Sequence, residues 1–289
     1  LGVADGAVIG ITKLFGTAPS SRAFNIAMLA EGFTEVQQSA FDSACDSFLD
    51  SFLRTPPYDV FKDVINVFRI NVSSIESGAS DPVAAGGTGK VVRTYFDASF
   101  GALGVRRLLV CNDLTATTVA VSQLPEVKAI LVVVNSPIYG GSGGSVGTYS
   151  LAQGASEIAL HELGHTVFLL ADEYSYYGDE NEAGHSHHPT NEPHEPNVTI
   201  SSDRATLKWA WAVNPQTPIP TQANHDCEKV SHDANSAPIG TVGLFEGAHY
   251  YHCGVYRSEF NCKMRSLGVP YCRICRETIA SHLKLFTKD

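Results

Sequence analysis

Positive charge is scarce in this chain: 20 Lys and Arg stand against 30 Asp and Glu in 289 residues, a formal net charge of -10. No basic cluster or stripe occurs, which excludes the usual electrostatic footprint of a nucleic-acid binder. Long apolar runs are also missing. The most apolar stretch, Ala129 to Val134, has strand length and is far too short to cross a bilayer as a helix. The chain begins at Leu1 with neither a Met nor a signal-peptide pattern, and so reads as a mature or trimmed chain. Charged residues make up only 17% while hydrophobic ones reach 44%, a balance that excludes intrinsic disorder and supplies a proper core. An acidic, soluble protein working outside the cell fits this composition.

Cysteine is present but unevenly spread. Of the seven, Cys45 and Cys111 lie early, and Cys227, Cys253, Cys262, Cys272 and Cys275 fall in the last third. The odd count leaves at least one thiol unpaired within the chain. The cluster predicts one or two bridges in the C-terminal part, or a four-cysteine zinc site built from Cys253, Cys262, Cys272 and Cys275. A disulfide network is favoured for a secreted chain. A redox role for Cys272-x-x-Cys275 is the weakest reading, because no thioredoxin-like strand–helix context precedes it. Asn71-Val-Ser and Asn197-Val-Thr match glycosylation sequons.

The N-terminal half alternates strand and helix patterns. Strands are predicted over Phe24–Leu29, 66–74, 106–112 and 129–135, the last buried on both faces. Between them, Thr34 with Gln37 forms a capping-box pattern that opens a helix. Its stripe is Val36, Phe41, Cys45, Phe48, Leu49 and Phe52. A shorter helix is predicted over Thr115–Gln123. The alternation specifies an α/β sheet with helices on its faces. The glycine-rich stretch 140–147 lacks the Gly-Lys-Ser/Thr that a phosphate loop requires, and is better read as a mobile loop beside an active site. A helix follows over about Leu151–Leu170, with Ala152, Ala155, Ala159, Leu163, Val167 and Leu170 on one face. Residues 175–240, rich in Pro, His, Asn and Asp, read as long loops. A last helix is predicted over Pro270–Lys288, with Ile274, Ile279, Leu283 and Phe286 inward.

The run HELGH (161–165) carries the chemistry. Residues four apart on a helix share a face, so His161 and His165 can each offer a ring nitrogen to one zinc ion. Both lie about 200° from Leu163 at 100° per residue, away from the apolar stripe. Glu162 stands beside the metal as general base for the water that zinc activates. Three ligands and a water make a catalytic zinc site, and an acidic pair, Asp172-Glu173, follows the helix. Asp172 is seven residues after His165, a rise of about 10.5 Å in continuous helix, so the helix must stop or bend first if Asp172 is to reach the ion. Glu173 and Glu246 are the alternatives, and Asp172 could instead orient a histidine from behind.

The run HELGHTVFLLADEY (161–174) resembles the signature of the bacterial immunoglobulin-A-peptidase-type zinc metallopeptidases, metallopeptidase family sixty-four. VVVNSPIYGGSGG (132–144), EPNVT (195–199), the Trp209 region, LFEGAHYY (244–251) and CKMRS (262–266) are similar too, so the resemblance covers most of the chain from Phe24. Leu169 departs from it, standing where a glycine is expected. The resemblance implies a metzincin-like zincin with an N-terminal mixed, mostly parallel sheet flanked by helices and a loop-rich C-terminal part. It favours His161, His165 and Asp172 as the zinc ligands, and Met264 as the methionine turn, although a core methionine is the plainer reading. The expected organisation is one catalytic domain, with an upper sheet subdomain over about 20–171 and a lower subdomain over about 172–289.

Other residues carry weaker signals. His185, His187, His188 and His194 could form a second metal site but read better as a solvated loop. Asp179, Glu180 and Glu182 lack the spacing of a calcium loop. Tyr250, Tyr251, Tyr256 and Tyr271 are candidates for stabilising an oxyanion, each more simply explained by packing. The expected protein is a secreted, monomeric zinc endopeptidase acting on protein or peptide substrates, with no nucleic-acid or membrane partner. The alternatives are a catalytically silent protein- or glycan-binding module on a peptidase fold, and a zinc amidase acting on cell-wall peptide.

Overall fold

The computed structural model describes residues 3–178 and 189–287. The chain divides into two compact units, Leu1–Phe168 with Ser281–Asp289, and Leu169–Ala280.

The first unit is built on a six-stranded sheet. Its strands are β1 (Gly6–Phe15), β2 (Phe24–Glu31), β3 (Ile65–Ser74), β4 (Val127–Val134), β5 (Gly141–Ser142) and β6 (Gly147–Ser150), in the order β1-β3-β2-β4-β6-β5. The β3-β2-β4-β6 centre is parallel, and the outer pairs β1–β3 and β5–β6 are antiparallel. Fold class is thus mixed α/β with a mostly parallel sheet. Every residue of β2 and Ala129–Val134 of β4 are buried, as expected of central strands covered on both faces.

The helix after β2 opens as read, with Thr34 and Gln37 in a reciprocal capping box; a 3-10 turn, Glu35–Gln37, leads into α1 (Gln38–Phe52). Phe41, Cys45, Phe48 and Phe52 are its buried stripe. Val36 belongs to the opening turn instead and is exposed, so the stripe begins one turn later than the periodicity suggests. α2 (Asp113–Gln123) starts behind Asn112, whose side-chain oxygen accepts from the Thr115 N–H at 3.0 Å. It packs on β2 and β4.

Two strand expectations need correction. Residues 106–112 form no strand; Leu108 and Val110 make only isolated bridges, to Gly141 and Ser99. Their apolar residues are right for a strand, but two single bridges do not make a ladder. Conversely, β1 has no counterpart in the sequence reading. It is a bulged edge strand with no buried residue, so its pattern lacks the clean alternation that marks a half-buried strand.

α3 (Ala155–Phe168) is shorter than the predicted 151–170 and packs against β4, β6 and α1. Glu157 in its first turn complements the helix dipole. Phe168 closes its end inside an aromatic cluster, 6.1 Å from the ring of Phe24, 6.1 Å from Tyr58 and 5.4 Å from His282.

The second unit has little regular structure. A three-stranded antiparallel sheet, β7 (Val198–Thr199), β8 (Phe245–Ala248) and β9 (Tyr251–Arg257), is ordered β7-β9-β8. Most of the remainder is loop, tied by the Cys227–Cys253 disulfide. Cys253 is therefore not available to a four-cysteine metal site. α4 (Arg273–Leu283) matches the predicted last helix, with Ile274, Ile279 and Leu283 buried. Among the described residues, no helix is long and apolar enough to cross a membrane.

Candidate metal centre

α3 presents His161 and His165 one turn apart, and their Nε2 atoms lie 3.0 Å from each other. Two zinc-bound nitrogens at about 2.05 Å in a tetrahedral site stand about 3.3 Å apart, so the pair fits one ion. Both Glu162 and His161 are buried. The face they occupy is covered by the glycine-rich stretch, which is an edge hairpin made of β5 and β6. A Cβ on Gly141 would fall 2.4 Å from Glu162 Oε1, and one on Gly143 would fall 2.3 Å from His165 Cβ. These glycines therefore serve close approach to the histidine-bearing helix. Gly141→Ala should push the Glu162 carboxylate aside, since that end of a flexible side chain yields more easily than backbone. We expect folding to survive and, if Glu162 takes part in the reaction, kcat to fall by about 10-fold or more, because small misplacements of a reacting group are costly. Wild-type kcat in a folded Gly141→Ala protein would count against this role for Gly141.

The helix ends at Phe168, and Leu169 takes φ 51°, a left-handed conformation that a glycine adopts without strain. For leucine it costs about 1–2 kcal/mol. The helix thus stops before Asp172, as the rise per residue requires if Asp172 is to reach an ion held by the two histidines. Leu169 itself is largely exposed, so little packing depends on its side chain.

Residues 171–174 are held in place from several directions. Glu173 N–H donates to the Met264 carbonyl at 2.7 Å, His249 N–H to the Asp172 carbonyl at 3.0 Å, and Tyr250 N–H to the Tyr174 carbonyl at 3.1 Å. The Tyr250 hydroxyl donates to Asp172 Oδ2. His249 and Tyr250 adopt positive φ angles of 51° and 69° to make these contacts. Asn197 supplies the fourth constraint. Its side chain accepts from Ala171 N–H at 2.8 Å, donates to the Ala171 carbonyl at 2.9 Å, and donates to Glu173 Oε1 at 3.0 Å.

Tyr250 thus acts on a carboxylate, a role the sequence did not single out among the four tyrosines. Asn197 matches a sequon and lies in the EPNVT run, and its side chain is fully buried and engaged in this network. Asn71 is likewise occupied, donating to Gln38 and Asp42 at 3.0 Å. No local signal marks Asn197, because its partners are 24 to 26 residues away in sequence. Asn197→Ala leaves both polar groups of Ala171 buried without their partner. It should lower unfolding free energy by about 1–3 kcal/mol in denaturant titrations. An unchanged midpoint and slope would show that other groups take over its bonds.

Other candidates are placed elsewhere. Glu246, the alternative third ligand, spends both oxygens on backbone, accepting from Asn224 N–H at 2.9 Å and Gly254 N–H at 2.8 Å. Asp179, Glu180, Glu182, His185, His187 and His188 lie outside the described residues. Met264 is fully buried, and its carbonyl is the acceptor for Glu173.

α3 thus aligns two imidazoles beside a buried glutamate. Comparison with protein families shows that the protein is a peptidase. The model of the family described as IgA Peptidase M64 matches residues 12–237 and 223–283, and the chain belongs to that family. No curated protein matches the chain.

Proposed function

We propose that the protein is a zinc-dependent endopeptidase with His161, His165 and Asp172 as metal ligands and Glu162 as general base. The pairing of the two Nε2 atoms at 3.0 Å, next to a buried glutamate, carries this reading. The donor set of two imidazoles and one carboxylate suits zinc and leaves one coordination position for water or substrate. Zinc held there would polarise the scissile carbonyl and lower the pKa of a bound water towards about 7. Glu162 takes the proton of the attacking water and delivers it to the departing amine nitrogen, so one carboxylate serves as base and then as acid. The Tyr250 hydroxyl and the backbone bonds to His249 and Met264 would hold Asp172 in place as a ligand.

The whole chain reads as one catalytic domain of metzincin-like design, with Met264 as its methionine turn. Its substrate is a protein or peptide, and it acts as a monomer outside the cell. The disulfide supports an oxidising compartment. The test is hydrolysis of an unfolded protein substrate before and after chelation, with zinc added back. Loss on chelation and recovery with zinc is expected. Cleavage that persists in metal-free protein would overturn the zinc mechanism. Zinc-bound protein that cuts no peptide would turn attention to a binding module or an amidase.

A further inference from the structure

Three thiols and one carboxylate converge in the second unit. Cys262, Cys272, Cys275 and Glu173 are all buried, and one ligand atom from each lies within 4.8 Å of the others. Cys262 Sγ is 3.7 Å from Cys275 Sγ. Glu173 Oε1 is 3.5 Å from Cys275 Sγ and 3.7 Å from Cys272 Sγ. A tetrahedral zinc with Zn–S of about 2.3 Å and Zn–O of about 2.0 Å has S···S edges of about 3.8 Å and S···O edges of about 3.5 Å. These three separations match such edges.

The surroundings are those of metal-bound thiolates. Cys272 N–H and Met264 N–H point at Cys262 Sγ, at 3.1 and 3.5 Å. Cys275 N–H and the Ser258 hydroxyl point at Cys272 Sγ, at 3.4 and 3.3 Å. Donors aimed at sulfur stabilise the charged form. Among the described residues Glu173 Oε2 has no hydrogen-bond partner although the residue is fully buried, an arrangement that is costly without a cation nearby. The buried guanidinium of Arg257 and that of Arg265 act electrostatically on Glu173 and offset the excess negative charge that three thiolates and a carboxylate would leave around a divalent ion.

A disulfide accounts for less. Cys227 and Cys253 are bonded, whereas Cys262, Cys272 and Cys275 are free. Any one bridge among three thiols strands the third and leaves the carboxylate unexplained.

We propose that Cys262, Cys272, Cys275 and Glu173 bind a second zinc ion, structural in role. Four protein ligands close the coordination sphere, and burial denies it a substrate. The position of these ligands in the chain shows what the ion would stabilise. Glu173 adjoins Asp172, and Cys262 is two residues from Met264. The ion ties the acidic segment to the loop that accepts its backbone N–H.

Metal counting on the whole chain tests this. Elemental analysis should find two zinc ions per chain in the wild type. The double variant His161→Ala/His165→Ala should keep one. Loaded with cobalt, that variant should show thiolate-to-cobalt charge-transfer absorption, and Cys272→Ser added to it should abolish both band and metal. If the histidine pair holds no zinc, the wild type binds one ion and the double variant keeps it, so failure of the catalytic assignment is separable. Should the Cys272→Ser protein not fold, alkylation of chelated, denatured wild type without reductant decides. Labelling of Cys262, Cys272 and Cys275 is expected. A disulfide between any two of them, or a metal-free double variant, overturns the proposal.

Discussion

Glu162→Gln should leave zinc bound and lower turnover of an unfolded protein substrate by about 10²–10⁴-fold, the range a general base supplies. The amide keeps the size and much of the hydrogen bonding of the carboxylate but accepts no proton at neutral pH. Gly141 makes the test clean. The hairpin backbone lies so near Glu162 Oε1 that an isosteric side chain fits and a larger one does not. The residue is buried on a helix whose packing rests on other side chains, so stability should change little. Equal turnover by wild type and variant, at equal zinc content, would remove Glu162 from the mechanism.

On the proposed ligand set, Asp172→Ala should cost the zinc at the histidine pair. Removing even a residue that only orients a ligand typically lowers metal affinity by about 10–100-fold, and loss of one of three ligands should exceed this. The expected protein retains one zinc per chain after dialysis against a weak chelator, with its cobalt form still showing the thiolate band. Glu173→Ala should behave in the opposite way, losing the thiolate band while the histidine site fills. Asp172→Ala that keeps both ions would assign the third ligand elsewhere. Tyr250 provides an internal control, because its hydroxyl reaches the same carboxylate and its removal should weaken zinc binding less than loss of Asp172 itself.

Much of this architecture was legible beforehand, for definite reasons. β2, β4 and α1 declare themselves through buried runs and a phenylalanine stripe, signals that depend on residues close in sequence. HELGH is legible because helical spacing alone aligns its side chains. The need for a reversal after α3 followed from the rise per residue, and Leu169 performs it. Asn197, Tyr250 and the partnership of Glu173 with three cysteines were illegible because each depends on chain segments far apart. The same holds for Cys253, whose sulfur is taken by a cysteine 26 residues earlier rather than by the nearer CxxC pair. The exposed edge strand β1 escaped for another reason: a strand that buries nothing leaves no hydrophobic rhythm.

The burial of Asn197 bears on how the protein can be produced. Asn197-Val-Thr is an acceptor for oligosaccharide transferase, which works on chains still entering the endoplasmic reticulum, before tertiary contacts exist to hide the amide. A sugar attached there would occupy the nitrogen that donates to Ala171 and Glu173 and would have to be enclosed at a site with no solvent access. A glycosylated chain therefore cannot close around its acidic segment. Yeast or mammalian secretion should yield misfolded material unless Thr199 is replaced to erase this acceptor, and Ser73 to erase the second one at Asn71, whereas a bacterial periplasm, able to form the Cys227–Cys253 bond, imposes no such conflict.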